Sequence, residues 1–133
     1  MKIKSKNRKF NVIIICFLIF LSSNKVYSQS KVDCSKAATQ AEINVCSQNK
    51  FVAADKELND LYKKVSAKLD TQQKLILIQS QREWISFRDE YAKIYKLIYN
   101  GGSMAPSAIL ECKTELTRTR IAELQTLFNQ VNL

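Results

Sequence analysis

The sequence predicts an all-α fold: an elongated antiparallel three-helix bundle, disulfide-stapled near one end. Three observations carry this expectation. Apolar residues recur at steps of three and four over long windows, the pattern that lines one side of a helix. Strong breakers are confined to one stretch, because Gly101, Gly102 and Pro106 are the only two glycines and the only proline among 133 residues. β-Architectures need turn chemistry every 8 to 12 residues or so, and no such spacing occurs. Finally, the cysteines that follow residue 28 fall where this topology brings them to one end.

The first helix begins at Thr39, which is followed three residues later by Glu42 in a capping-box pattern. Its inward face reads Ile43, Cys46, Ala54, Leu58, Leu61 and Val65, with Phe51 standing in at the gap left by Lys50, and it stops near Leu69. Asp70 and Thr71 cap the second helix. Its expected face is Leu75, Ile78, Ile85, Arg88, Tyr91, Tyr95 and Ile98, with Trp84 beside it, and Asn100-Gly101-Gly102 closes it through a left-handed turn. Pro106 suits the first turn of the third helix, which carries Ile109, Cys112, Leu116, Leu124, Leu127 or Phe128, and Val131 along one side. Three helices of about 27 to 31 residues would each be roughly 40 to 46 Å long, and their short connections make neighbours antiparallel.

The formal charge of +9, from 21 Lys and Arg against 12 Asp and Glu, suggests a polyanion partner until its distribution is considered. Lys2, Lys4, Lys6, Arg8, Lys9 and Lys25 lie in the first 28 residues, which hold no acid. Ten apolar residues, Val12 to Leu21, follow the basic run, and Val26-Tyr27-Ser28 offers short residues at a cleavage site. Residues 1–28 therefore read as a secretory signal, and residues 29–133 as one helical domain. The apolar run falls short of the about 20 residues a bilayer core takes, so no stable membrane insertion is expected after signal cleavage. Cys16 is not read as a lipidation site, since Phe17 to Leu21 continue the apolar run beyond it. Removing six signal charges from 21 leaves 15 basic against 12 acidic residues, a net of +3 over the remaining 105. No window concentrates Lys and Arg with interleaved aromatics, so the expected partner is a protein and not a nucleic acid. The expected location is the periplasm or the medium.

Export permits disulfides. In an up-down-up bundle the first and third helices begin at the same end, and Cys46 and Cys112 each lie about two turns in. Cys34 precedes the Thr39 cap by five residues, an extended reach of about 17 Å, enough to fold back over those turns. Proximity in sequence favours Cys34 with Cys46; Cys46 with Cys112 is the rival pairing. Three cysteines without His or C-x-x-C spacing make an incomplete zinc site, so neither a metal nor a cofactor is implied.

Several stretches form a recognisable set. They are Asp33-Cys34-Ser35-Lys36-Ala37, Thr39 through Cys46, and Ala54-Asp55-Lys56-Glu57-Leu58-Asn59-Asp60-Leu61-Tyr62. Further along come Gln81-Arg82-Glu83-Trp84-Ile85-Ser86-Phe87-Arg88-Asp89-Glu90, Gly101-Gly102-Ser103, and Cys112 through Thr117 with Arg120. Together these resemble the LprI-like family of exported bacterial proteins. The resemblance covers nearly all of residues 29–133 and implies a protein that binds another protein, with a lysozyme-type muramidase as the target to inhibit. The alternative is a structural or accessory envelope module with no inhibitory activity. One position departs from the family pattern: where a cysteine typically follows the Arg-Asp pair, this sequence has Tyr91. A two-disulfide arrangement has then lost one member, which accounts for the odd count.

Asp55, Asn59 and Tyr62 share a helix face, and Arg88, Asp89 and Arg120 lie on the other two helices. They are expected to form a polar network fixing helix register, with arginine's planar fork suited to Asp55 or Asp89. The competing reading makes them a recognition surface. Trp84 and the segment Gly101, Gly102, Ser103 and Met104 are the candidates for direct partner contact, an indole anchor and an insertion loop. Without His, a general base at neutral pH would need a strongly shifted carboxylate or lysine. Adjacent Asp89 and Glu90 point about 100° apart on a helix. The chain is not expected to be an enzyme.

Overall fold

The computed structural model describes residues 32–132, and every regular element within them is a helix: α1 (Gln40–Lys68), α2 (Thr71–Ala92), α3 (Ile94–Ile98) and α4 (Ala105–Gln130). The expected signal segment, residues 1–28 with Cys16, lies outside the described residues.

Local chemistry sets the helix starts. The Thr39 hydroxyl accepts the Glu42 backbone N–H at 3.2 Å, while the Glu42 carboxylate accepts the backbone N–H groups of Thr39 at 2.9 Å and Ala38 at 3.0 Å. These bonds, that from the Thr39 backbone foremost, hold Glu42 below the usual carboxylate range. The same device recurs at Asp70, whose side chain accepts from Gln73 N–H at 2.8 Å while Gln73 Oε1 accepts the Asp70 N–H. Both boxes satisfy donors that a helix leaves orphaned at its N-terminus. The first helix stops just before the second box: Leu69 and the Asp70 cap are extended, so the chain reverses within two residues.

The α1 face follows its sequence pattern, with Cys46, Ala54, Leu58, Leu61, Val65 and Leu69 buried and Phe51 half-buried, although Ile43 is exposed. Leu58, Leu61, Val65, Leu69, Leu77 and Leu124 form the apolar core, with Tyr62, Trp84, Ile121, Leu127, Phe128 and Val131 packed around it. This core lies toward the α1–α2 turn. α1 and α4 are the closest pair and run in the same direction, as the cross-links Gln40 to Ser107 and Ser47 to Glu111 show. The returning segment, α2 and α3, docks on α4.

The second helix departs from its expected face. Leu77, Gln81, Arg88 and Ala92 are buried, with Trp84 and Tyr95 half-buried, whereas Leu75, Ile85, Tyr91 and Ile98 stand exposed. The reason is that α4 presents Thr114, Thr117 and Arg120 toward the bundle, so the stripe that docks there is the one able to hydrogen-bond. Hydrophobicity points elsewhere on the helix. The helix is also not continuous to Asn100. At Lys93 the ladder tightens to bonds three residues back, from Lys93 N–H to Glu90 and from Lys96 N–H to Lys93, which separates α2 from α3. On α4, similarly, the fully buried central positions are Thr114, Thr117 and Leu124, while Ile109, Cys112 and Leu116 are half-buried.

Candidate functional site

Arg88 lies at the middle of the bundle and is 6% exposed. Its Nη1 donates to Asp55 Oδ1 on α1 at 2.9 Å and to Thr117 Oγ1 on α4 at 3.5 Å, while Nε donates to Asp89 Oδ1 at 2.9 Å. The guanidinium lies over the rings of Phe51 at 5.1 Å and Trp84 at 5.2 Å. One side chain thereby ties all three long helices, its planar fork giving separate N–H donors to Asp55 and to Asp89. Asn59 Nδ2 donates to both the carbonyl and the carboxylate of Asp55, and Lys113 Nζ approaches Asp89 at 3.2 Å. Partial burial opposes ionisation of Asp89, but the hydrogen bonds from Arg88 and Lys113 outweigh it and hold the carboxyl below its ordinary range.

Arg120 forms a second cluster. Its Nε donates to Gln81 Oε1 at 3.1 Å, Nη2 to Ser80 Oγ at 2.8 Å and Nη1 to Glu123 at 2.8 Å. The clusters share Trp84, whose ring also lies 5.9 Å from the Arg120 guanidinium. Trp84 is half-buried among these cations and the core leucines. Tyr62 packs against the apolar core, one turn of helix beyond the Asp55–Asn59 bond. The structure thus unites Asp55, Asn59, Arg88 and Asp89, sets Arg120 in its own cluster bridged by Trp84, and leaves Tyr62 with the leucines.

Phe51, which the sequence pattern placed on the inward face of α1, and Lys113, Thr117, Gln81 and Ser80, which that pattern gave no role in a polar cluster, complete the two clusters. The only available signal is that Thr117 and Gln81 occupy apolar-phase positions of their helices. Every buried side-chain N and O atom among the described residues has a partner. Such a network has its donors consumed in holding helices and presents no free base beside a nucleophile.

The other candidate segment lies at the stapled end. Cys34 and Cys46 form the disulfide, with Cα atoms 5.6 Å apart, and Cys112 is free and half-buried. Burial pushes the Cys112 thiol up, against a smaller opposing influence of Lys113, so it stays protonated at neutral pH. Tyr91, at the departing position, is exposed and stacks on Phe87 with ring centroids 5.7 Å apart.

Between α3 and α4, Asn100 N–H bonds Leu97 carbonyl and Gly101 N–H bonds Lys96 carbonyl, the paired closure of a Schellman motif. Asn100 and Gly101 both have left-handed backbone, φ 49° and 66°, so the glycine is the second such residue and asparagine the first. Gly102 is needed for closeness: a Cβ there would meet the Tyr99 carbonyl at 3.2 Å. The loop is then tied to α1, since Asn44 Nδ2 donates to the Ser103 carbonyl at 3.1 Å. Ser107 Oγ donates to the Met104 carbonyl at 2.9 Å and accepts from Gln40 Nε2 at 3.1 Å. Held this way, the Met104 side chain is 53% exposed. Ala105 and Ser107 are buried, so the exposed part of the segment ahead of them is Gly101 through Met104.

Among the described residues no three His, Cys, Asp or Glu side chains converge to hold a metal ion, and no helix is long and apolar enough to cross a membrane. Comparison with known proteins gives a family match: the model described as lysozyme inhibitor LprI covers residues 33–124. An uncharacterized protein of Rhizobium meliloti (strain 1021) is 36% identical over 112 residues, covering 74% of this chain and 81% of that protein. No solved structure matches.

Proposed function

The chain belongs to the LprI family, and from that premise we propose that it is an exported, non-enzymatic protein that binds a lysozyme-type muramidase and blocks its cleft. The observation that carries this reading is the family match across residues 33–124, which spans both polar clusters and the stapled end. The geometry supports a specific division of labour. The Arg88 and Arg120 clusters spend their donors on internal partners, which suits a scaffold. The Gly101–Met104 segment offers an exposed apolar tip on a backbone fixed to α1 by Asn44, so little ordering would be lost on binding. A net charge of +3 after signal removal gives no long-range attraction to a basic enzyme, so recognition rests on local shape and apolar contact.

The test is a turbidity assay of lysozyme acting on cell walls with the exported protein in micromolar excess. Slowed clearing is expected, and Met104→Ser should weaken the protection while leaving the thermal melt unchanged. Absence of protection against every lysozyme class would defeat the reading and favour an accessory role in the envelope. Inhibition undiminished in Met104→Ser would instead exclude the loop as the contact.

A further inference from the structure

Charge is spread unevenly over the described residues. Between Leu61 and Gln81 stand four lysines, Lys63, Lys64, Lys68 and Lys74, against one acid, Asp70, a net of +3. Over the other described residues ten basic side chains meet eleven acidic ones, a net of −1. The excess sits at one end of the bundle, on both arms of the α1–α2 turn. Lys63 is six residues before Leu69 and Lys74 four after Asp70, so all four lysines lie within about 9 Å of the reversal along a helix axis.

These cations have no use inside the bundle. Lys56, Lys93 and Lys113 are each held by a carboxylate, of Asp60, Glu90 and Asp89. Lys63, Lys64 and Lys68 are exposed and Lys74 half-buried, and none of the four has an ion pair or a side-chain hydrogen bond among the described residues. The nearest acids are occupied: Asp60 by Lys56, and Asp70 by the Gln73 N–H it caps. Complementing the negative end of the α1 dipole accounts for Lys68 alone, the one basic residue of the last turn. Beside the lysines, the consecutive residues Leu75 and Ile76 are 64% and 65% exposed.

We propose that the α1–α2 end docks reversibly on the anionic surface of a lipid bilayer, with its lysines among the headgroup phosphates and Leu75 and Ile76 in the boundary beneath them. A bilayer offers both chemistries in one place, a negative surface potential and an apolar layer just below it. A soluble polyanion would answer the lysines and leave the two apolar side chains in water. Ammonium groups fixed by no internal bond also suit phosphates that hold no fixed positions. The contact is peripheral, since no described helix is long and apolar enough to cross a membrane. It uses the end opposite the Gly101–Met104 loop, so it does not depend on what that loop binds.

The test is cosedimentation of the exported protein with vesicles of phosphatidylcholine alone or mixed in equal parts with phosphatidylglycerol. At low salt the anionic vesicles should bind at least about tenfold more, and about 0.5 M salt should erase most of that preference. Changing Lys63, Lys64 and Lys68 together to Gln should lower the partition at least about tenfold. Lys96→Gln, at an exposed lysine of the other end, should leave it within about twofold. Leu75→Ser should lower it about threefold or more while keeping the salt dependence. The altered side chains are all exposed, so the thermal melts should match. Equal partition onto both vesicle types, or an effect of Lys96→Gln as large as that of the triple change, would overturn the proposal. So would binding to soluble polyphosphate that matches the vesicles and is untouched by Leu75→Ser.

Discussion

The two ends of the bundle are held by different physics. Toward the α1–α2 turn, Leu58, Leu61, Val65, Leu69, Leu77 and Leu124 interlock, and the helices adhere because large apolar side chains leave water. Toward the α3–α4 loop, the buried positions are Cys46, Ser47, Ala92, Ala105, Ser107 and Thr114, small side chains that remove little apolar area. There the chain is fastened by the Cys34–Cys46 bond and by side-chain hydrogen bonds from Gln40, Asn44 and Ser107. Arg88 lies between the two regimes. The contrast shows how a bundle can present a loop in fixed geometry at an end with little core: directional bonds position backbone atoms individually, whereas leucine packing constrains helices as rods.

The largest test of this contrast is Leu124→Ala. Leu124 is 2% exposed at the apolar end, and its truncation should cost about 3 kcal/mol, read by denaturant unfolding. Met104→Ala, at the other end, should leave the same measurement nearly unmoved.

Removing the disulfide with Cys34→Ser and Cys46→Ser should cost about 2 kcal/mol, since it closes a short loop. Amide exchange should then rise in residues 33–39 and at the start of α1, and remain slow around Leu61 and Leu124. Uniform acceleration would mean that the ends are not energetically separate.

Arg88→Ala should cost a further intermediate amount, about 2 kcal/mol. The arginine is buried, but Asp55 and Asp89 are each more than a third exposed and can be rehydrated once it is gone, so the full penalty of a stranded buried charge does not apply. If Arg88→Ala lowered lysozyme inhibition per folded molecule, the scaffold role assigned to this cluster would be wrong. Asn44→Ala should cost about 1 kcal/mol or less and loosen the Ser103 carbonyl, with a visible change in loop exchange.

The smallest effect is that of acid. Asp89 and Glu42 both have carboxyls held below their ordinary values in the folded chain. Their contribution is complete above the unfolded value, near 4, and is lost as pH falls through the lower folded value. The melting temperature should decline below about pH 4, and Asp89→Asn should flatten part of that decline.

Legibility in the sequence followed the same division. Most of the α1 face, the Thr39 capping box, the cap at Asp70 and the breaker loop could be read directly, and the cysteine pair formed is the one favoured over its rival, because each depends on residues close along the chain. Of the six residues the sequence grouped as one polar network, the structure joins Asp55, Asn59, Arg88 and Asp89, while Arg120 belongs to a second cluster and Tyr62 to the apolar core. The docking face of α2 was not legible. Its stripe of Gln81, Trp84, Arg88 and Ala92 looks less apolar than the exposed stripe through Ile76, Phe87 and Ile94, and periodicity weighs apolarity alone. Lys113 and Thr117 were invisible for a related reason: each is an ordinary helical residue until α4 is set beside Arg88.

The sequence by itself determined that this chain is helical, where its three long helices begin, and which breaker segment precedes the last one. Those are decided within a few residues by backbone hydrogen bonds, capping side chains and glycine's access to positive φ. Only the tertiary structure decided which side of α2 turns inward and that Arg88 and Arg120 hold separate clusters around one indole. That choice turns on satisfying buried donors across three helices at once, and no local pattern along a single helix records it.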